Sequence, residues 1–258
     1  MPDSSNRKSG DAAIQAIGVI PARYGATRFE GKLLKDLCGK PVIQHVYERA
    51  KKAKLLDDLV VAADDDRIVK AVESFGGKVV FTSKSHSTGT DRLTEVVNQL
   101  DVKIVVNIQG DEPLIHPFLI DDLVRTMQDN PEAVMATVVK KSQSLEEFNS
   151  PDVVKAVIDQ NRNALYFSRQ PIPTFLKPNA EKSFFYKHIG IYAYNKDFLF
   201  MFKKLPKSYL EKNERLEQLR ALESGYKIKV IETQFETVGV DTPEDLELAR
   251  SILEKESV

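Results

Sequence analysis

The sequence predicts an α/β protein: a mostly parallel β-sheet with helices on both faces, extended by a smaller mixed α+β lobe. Two observations predict it. Over the first half of the chain, short apolar runs alternate with stretches of helical periodicity, the rhythm of strands joined by crossover helices. The chain also has 258 residues, 42% hydrophobic and 29% charged, enough for one such domain with an added lobe and an ordinary globular balance.

The elements follow in order. Ala16 to Ile20 is an apolar run ended by Pro21, a buried strand feeding a loop. Pro41 stands where a first helical residue is favoured, with Val42, Val46, Tyr47 and Ala50 behind it at helical spacing. Leu59 to Ala63 is a second strand. Asp64 to Asp66 offer caps for a helix with Ile68, Ala71, Val72 and Phe75 on one face, stopped by Gly76 and Gly77. Lys78 to Phe81 returns as strand, Asp91 to Leu100 as helix, and Ile104 to Ile108 as a buried strand.

After about residue 138 the alternation weakens. Val153 to Ile158 and Ala164 to Phe167, around an Asn-Arg-Asn turn, predict an antiparallel hairpin, and His188 to Tyr194 a further strand. Helices are expected at about 214–224 and 243–256, with a strand from Ile228 to Thr233 between them. The expected division is a disordered tail over 1–13 and one domain over 14–258. Within it lie a ligand-binding half at about 14–138, a lobe at about 139–235 and a closing segment over 236–258.

Composition excludes several classes. Lys+Arg number 37 and Asp+Glu 38, so the basic excess of a nucleic-acid-binding domain is missing. Cys38 is the only cysteine, which rules out an intramolecular disulfide and a cysteine zinc site; it is expected to be a small buried filler. No apolar run approaches the roughly 18 residues of a membrane helix, and the first thirteen residues lack the character of a signal or transit peptide. A cytoplasmic location, without membrane insertion, is the expectation.

Ligands of such sheets bind beyond the carboxyl ends of the strands. The loop after Ile20 carries Arg23, Arg28, Lys32, Lys35 and Lys40 against Glu30 and Asp36 between residues 21 and 40, together with Gly25 and Gly31. Cations and backbone amides there make a phosphate cradle; on spacing alone a solvated surface loop remains open. It is not a Walker A loop, because Leu33 stands where Ser or Thr would hold magnesium, and the G-x-G-x-x-G spacing is absent. Asp111, after Gly110 and before Pro113, suits either a magnesium ligand or a simple turn. Asp241 suits either a second magnesium ligand or, with Thr242, a cap for the last helix.

Together these segments resemble the 3-deoxy-manno-octulosonate cytidylyltransferases, also called CMP-Kdo synthetases. The resemblance rests on residues 20–24, 27–29, 31–32 and 39–41, and on Thr88-Gly89-Thr90-Asp91-Arg92. It continues through Asn107-Ile108-Gln109-Gly110-Asp111-Glu112-Pro113, His188-Ile189-Gly190-Ile191-Tyr192, Leu216-Glu217-Gln218-Leu219-Arg220 and residues 239–246, in order along nearly the whole chain. It implies a Rossmann-like nucleotidyltransferase sheet and the transfer of CMP from CTP to Kdo, giving CMP-Kdo and pyrophosphate for lipopolysaccharide or a related polysaccharide.

By the match, Arg23, Arg28 and Lys32 hold phosphates, and Arg28, Lys32 and Asp111 form the catalytic set. Asp111 and Asp241 bind Mg²⁺. Thr88, Gly89 and Thr90 select cytosine, helped by backbone at Ala22. Arg169 pairs with the sugar carboxylate, while Gln109, His188, Tyr192, Glu217 and Gln218 meet its hydroxyls. A homodimer through the second lobe is implied. Read as residues alone, His188 and Tyr192 share a strand face and suit a core equally well, and Glu217, Gln218 and Arg169 suit a surface. The family commonly has Pro on both sides of Gly31-Lys32, where this chain has Glu30 and Leu33, so a looser loop is expected. Other expectations are a cytidylyltransferase for another acid sugar (8-amino Kdo or a sialic acid) and a non-catalytic nucleotide-binding module.

Overall fold

The structure, a computed structural model, describes residues 14–25, 29–86, 88–176 and 183–256. The expected tail, and Arg28 of the cationic loop, lie outside the described residues.

The chain begins with β1 (Ile14–Ala22), followed by a 3₁₀ turn at Lys32–Leu34, β2 (Asp36–Leu37), β3 (Lys40–Pro41) and α1 (Val42–Ala50). Then come β4 (Asp58–Ala63), α2 (Asp66–Ser74), β5 (Val79–Phe81), α3 (Gly89–Val97), β6 (Val102–Asn107), α4 (Pro117–Asp129) and β7 (Met135–Ser142). The second half holds α5 (Leu145–Asn149), β8 (Lys155–Ile158), β9 (Ala164–Ser168), β10 (Phe185–Asn195) and α6 (Lys196–Lys204). It closes with α7 (Tyr209–Glu214), α8 (Leu219–Glu223), β11 (Ile228–Thr233) and α9 (Pro243–Glu256).

One sheet runs through both halves in the order β11-β7-β10-β6-β1-β4-β5, with the β8–β9 hairpin attached to β10. Pairings on either side of β1, and those of β4 with β5 and β7 with β11, are parallel; β10 runs against both neighbours. β1 shows why the sheet is covered on both faces. Ala16, Ile20 and Ala22 enter the core under α1, α2 and α4, while Ile17 and Val19 enter the core under α3, α6 and α8. All five are at most 1% exposed, so the period-2 alternation of a strand is apolar on both sides.

Several expectations shift. Cys38 is exposed, not buried: with Gly39 it forms the two-residue turn between the antiparallel β2 and β3, at φ 51° and 81°. Pro41 caps α1 from an extended conformation rather than starting it. The single helix expected at 214–224 is two. Ser208 and Glu211 form a capping box that starts α7 earlier, and Arg215, at φ 54°, turns the chain before α8. The helices α4 and α6 and the strand β7 also add to the expected order. α4 opens on Pro117 and α6 on Asn195, whose side chain accepts from the amides of Asp197 and Phe198. Among the described residues no helix is long and apolar enough to cross a membrane.

Candidate active site

The carboxyl ends of β1 and β6 meet the loop before α9 at one point. Lys32 Nζ donates to Asp111 Oδ2 at 2.5 Å and to Asp241 Oδ1 at 2.7 Å, joining residues 79 and 209 positions away. The three arrive by local rules. Leu33, beside Lys32, is 4% exposed and plugs the 3₁₀ turn into the core. Gly31, at φ 64°, donates its amide to the Tyr24 carbonyl, and a side chain there would meet the Tyr24 ring at 3.1 Å. Asp111 follows Gly110, whose missing Cβ would stand 3.0 Å from the Pro21 carbonyl oxygen; glycine lets the two loops close on each other. The Val240 amide donates to the Asp111 carbonyl, seating the segment before α9.

The cap of α9 settles what Asp241 is not. Thr242 Oγ1 accepts from the Asp245 amide, and the Asp245 carboxylate accepts from the amides of Thr242 and Asp241. Thr242 and Asp245 therefore form the capping box. The Asp241 carboxylate is not needed for the cap and reaches Lys32 instead. Burial alone would lower the Lys32 pKa, but the two carboxylates, Asp111 first, raise it above its ordinary value, so the ammonium stays charged.

Beside this triad is a hollow of about 330 Å³ lined by Arg23, Lys32, Thr88, Gly89, Gly110 and Asp111 among others. Arg23 Nη2 is held by the His86 carbonyl at 2.8 Å, and the Tyr24 amide by Asp64 Oδ1. Thr88 and Gly89 are not a free turn: Thr88 caps α3 in a capping box with Asp91, and Gly89 is its first helical residue. Ala22 is fully buried, and its carbonyl accepts the Asp64 amide. Thr90 departs from its neighbours: 3% exposed, it points away from the hollow and donates to Glu217 Oε2 at 2.6 Å.

A larger cleft of about 940 Å³ opens on the other side of the triad, with Asp241, Gln109, Arg169, His188, Tyr192 and Gln218 on its walls. Glu217 lines a recess of about 170 Å³ that shares Gln109, Tyr192 and Gln218 with the cleft. The sequence-predicted sugar-side residues thus gather around one continuous space. Gln109, at the lip of all three hollows, donates to the Gly190 carbonyl at a bulge in β10. Burial pushes the His188 pKa down to about 3, so the imidazole is neutral; it hydrogen-bonds Thr137 Oγ1 and packs against Phe167 and Tyr192. Burial raises the Tyr192 phenol well above its usual range, so its proton stays on. Arg169 donates to the carbonyls of Glu214 and Pro151, and its amide to Glu214 Oε2.

Two charged residues, one on the cleft wall and one behind Glu217, went unread in the sequence. Glu112, adjacent to Asp111, is held at a pKa of about 7 by burial and then by the Asp111 charge, and its Oε2 has no hydrogen-bond partner. Arg220, 5% exposed, grips Glu211 through both Nε and Nη2 and reaches Glu217 Oε1 at 3.4 Å. Their only sequence signal was a charge inside an otherwise apolar or motif-bearing segment.

Two carboxylate oxygens gathered on one lysine, beside a cationic loop at the end of the first strand of a mostly parallel sheet, are the site a nucleotidyltransferase needs. The comparisons with known proteins agree. Residues 17–228 match the family model described as cytidylyltransferase. The 3-deoxy-manno-octulosonate cytidylyltransferase of Geotalea uraniireducens (strain Rf4) is 51% identical over 246 residues, covering 92% of this chain and 98% of its own length. That of Geobacter sulfurreducens is also 51% identical, with 92% and 97% covered. A solved structure of CMP:2-keto-3-deoxy-manno-octonic acid synthetase complexed with CTP superposes with a TM-score of 0.88 at 45% identity, covering 94% of this chain and 99% of that one. The chain belongs to the cytidylyltransferase family and, within it, to the 3-deoxy-manno-octulosonate cytidylyltransferases.

Proposed function

We propose that the protein transfers CMP from CTP to Kdo, releasing pyrophosphate and CMP-Kdo, with the hollow holding the nucleotide and the cleft the sugar acid. The observation that carries this assignment of roles is the Lys32–Asp111–Asp241 contact at the boundary between the two spaces.

Charge argues for a divalent cation in the reaction. The triad carries one positive and two negative side chains, so by itself it opposes a triphosphate. The donor set fits Mg²⁺: hard carboxylate oxygens converging on one cation position, with the remaining ligands left to phosphates and water. Among the described residues no group of three His, Cys, Asp or Glu is placed to hold a metal, so substrate oxygens would have to complete the shell. Asp111 and Asp241 would hold the ion, which when bound neutralises phosphate charge and lowers the pKa of the attacking hydroxyl.

The chain's own residues supply position and charge. Arg23 and Lys32 would bind the phosphates, and Thr88 and Gly89, on the same hollow, would face the cytosine. The neutral His188 and Tyr192, with Gln109 and Gln218, would orient the sugar by hydrogen bonds, and Arg169 would meet its carboxylate. Gln109 spans both spaces, where the anomeric hydroxyl must reach the α-phosphorus in line with the departing pyrophosphate. We include in this proposal a cytoplasmic location and a homodimer, the latter supported by the exposed Leu165, Leu176 and Phe184 on the second lobe.

The experiment is pyrophosphate release with CTP and Kdo, with and without Mg²⁺, followed by product identification against sialic acid and 8-amino Kdo. Mg²⁺-dependent CMP-Kdo formation is expected. Failure with Kdo, or turnover only with another acid sugar, would overturn the assignment.

A further inference from the structure

We propose that Asn107 forms a hydroxyl-recognising subsite at the blind end of the sugar cleft and so helps decide which sugars are accepted. The inference rests on the assignment of the cleft to the sugar acid.

Asn107 ends β6, in register with Val19 of β1 on one side and Tyr192 of β10 on the other. The other buried residues of this strand, at the middle of the sheet, are all apolar, and Asn107 itself is 5% exposed. Its side chain lines the recess of about 170 Å³ that opens behind Gln109, Tyr192 and Gln218, and its Oδ1 has no hydrogen-bond partner. A buried, unpaired carbonyl oxygen costs about 1–3 kcal/mol, and such groups are kept where something else satisfies them.

The surroundings say what that partner must offer. Across the recess stands Glu217, its Oε2 held by the Thr90 hydroxyl at 2.6 Å and its Oε1 reached by Arg220, which Glu211 anchors from behind. Thr90 and Arg220 therefore fix the second acceptor in place. Asn107 Oδ1 and the Glu217 carboxylate together face the recess with oxygens that accept hydrogen bonds. The Tyr194 phenol, beside Asn107 and Thr90, also lines the recess, so a group that satisfies both acceptors must donate and can accept as well, as a sugar O–H does. A cavity of this size also admits a water molecule, which would satisfy Asn107 without any effect on sugar choice.

The test compares kcat/KM for Kdo and for a panel of its monodeoxy analogues, in the wild-type protein and in Asn107→Leu and Asn107→Asp. The wild type is expected to disfavour one analogue by about 10-fold or more, because losing that hydroxyl leaves Asn107 unpaired. In Asn107→Leu, similar in size but without an acceptor, that preference is expected to shrink to within about 2-fold, with the KM for CTP unchanged. Asn107→Asp, which keeps an acceptor oxygen, should recover the preference and covers the case in which the leucine variant does not fold. An unchanged preference pattern in Asn107→Leu would overturn the subsite. So would no wild-type preference among the analogues, the result expected if only water occupies the recess. Equal rises in the KM for CTP and for Kdo in both variants would make Asn107 structural and likewise overturn it. Absence of wild-type turnover with Kdo would instead remove the sugar assignment beneath it.

Discussion

Replacing Lys32 with Met tests the triad by keeping the aliphatic stem and removing the charge. The side chains of Lys32, Asp111 and Asp241 are 13%, 29% and 44% exposed. Asp241 is open enough for solvent to screen its pair, which leaves it near the surface value of about 0–1 kcal/mol. The Asp111 pair is better shielded. Loss of both, with two carboxylates left facing each other, should lower stability by about 1–2 kcal/mol, within the ordinary range for a substitution. The effect on turnover should be far larger. If Lys32 stabilises charge on the phosphates during transfer, its removal costs about 10²–10³-fold in kcat, the scale of deleting one preorganised donor. The assay is steady-state pyrophosphate release at saturating CTP and Kdo, beside a thermal melt. Without nucleotide, Mn²⁺ should bind the variant more tightly than the wild type, because the ammonium no longer competes for the two carboxylates. A kcat within about 3-fold of wild type would refute this role for Lys32.

Gly110→Ala would push a methyl group to 3.0 Å from the Pro21 carbonyl oxygen. It should raise the KM for CTP at least about 10-fold by displacing Asp111 from Lys32, a small misplacement with a large effect; unchanged kinetics would show that the loops are not held by this approach. Arg220→Met strips the buried Glu211 of its partner, and breaking a buried pair this way costs about 3–5 kcal/mol; a melting temperature within a degree of wild type would contradict the burial. His188 has a folded pKa of about 3 against an ordinary 6.5, so the unfolded chain binds the extra proton between those values and stability falls as pH drops below 6.5. At pH 5 the loss is about 2 kcal/mol. His188→Gln should therefore flatten urea-unfolding stability between pH 7 and 5 relative to wild type, and an equal fall in both would exclude His188 as the source.

The sheet was legible where strands carry buried apolar runs, Leu59 to Ala63 in β4 and Ile104 to Val106 in β6, and where apolar residues recur between polar ones, Ile228, Val230 and Ile231 in β11; all three strands fall within a residue or two of expectation. α6 was hidden by its Phe-Leu-Phe-Met-Phe run, which has no polar face in sequence, and the break at Arg215 by a left-handed residue that is not glycine. Lys32, Asp111 and Asp241 were expected to converge through the resemblance alone, since 209 positions separate the outer pair and nothing local to any of the three points to the others. Asp241 was ambiguous until Thr242 and Asp245 accounted for the helix cap. Thr90 sat in a run read as one unit, yet the first turn of α3 sends successive side chains in different directions, Thr88 to the cap and Thr90 to Glu217. Asn107 and Glu112 gave no local sign of their burial, because burial of a polar group is decided by elements far along the chain.

The most direct test is pyrophosphate release measured for the wild type, Asp111→Asn, Asp241→Asn and the double variant, at fixed CTP, Kdo and Mg²⁺. If the two carboxylates serve one cation beside one triphosphate, each single substitution should cost about as much as both together, by at least about 10³-fold, because groups acting as a unit are not additive. Near-normal turnover in Asp241→Asn, or losses that simply multiply in the double variant, would mean that the two acids do not share one nucleotide.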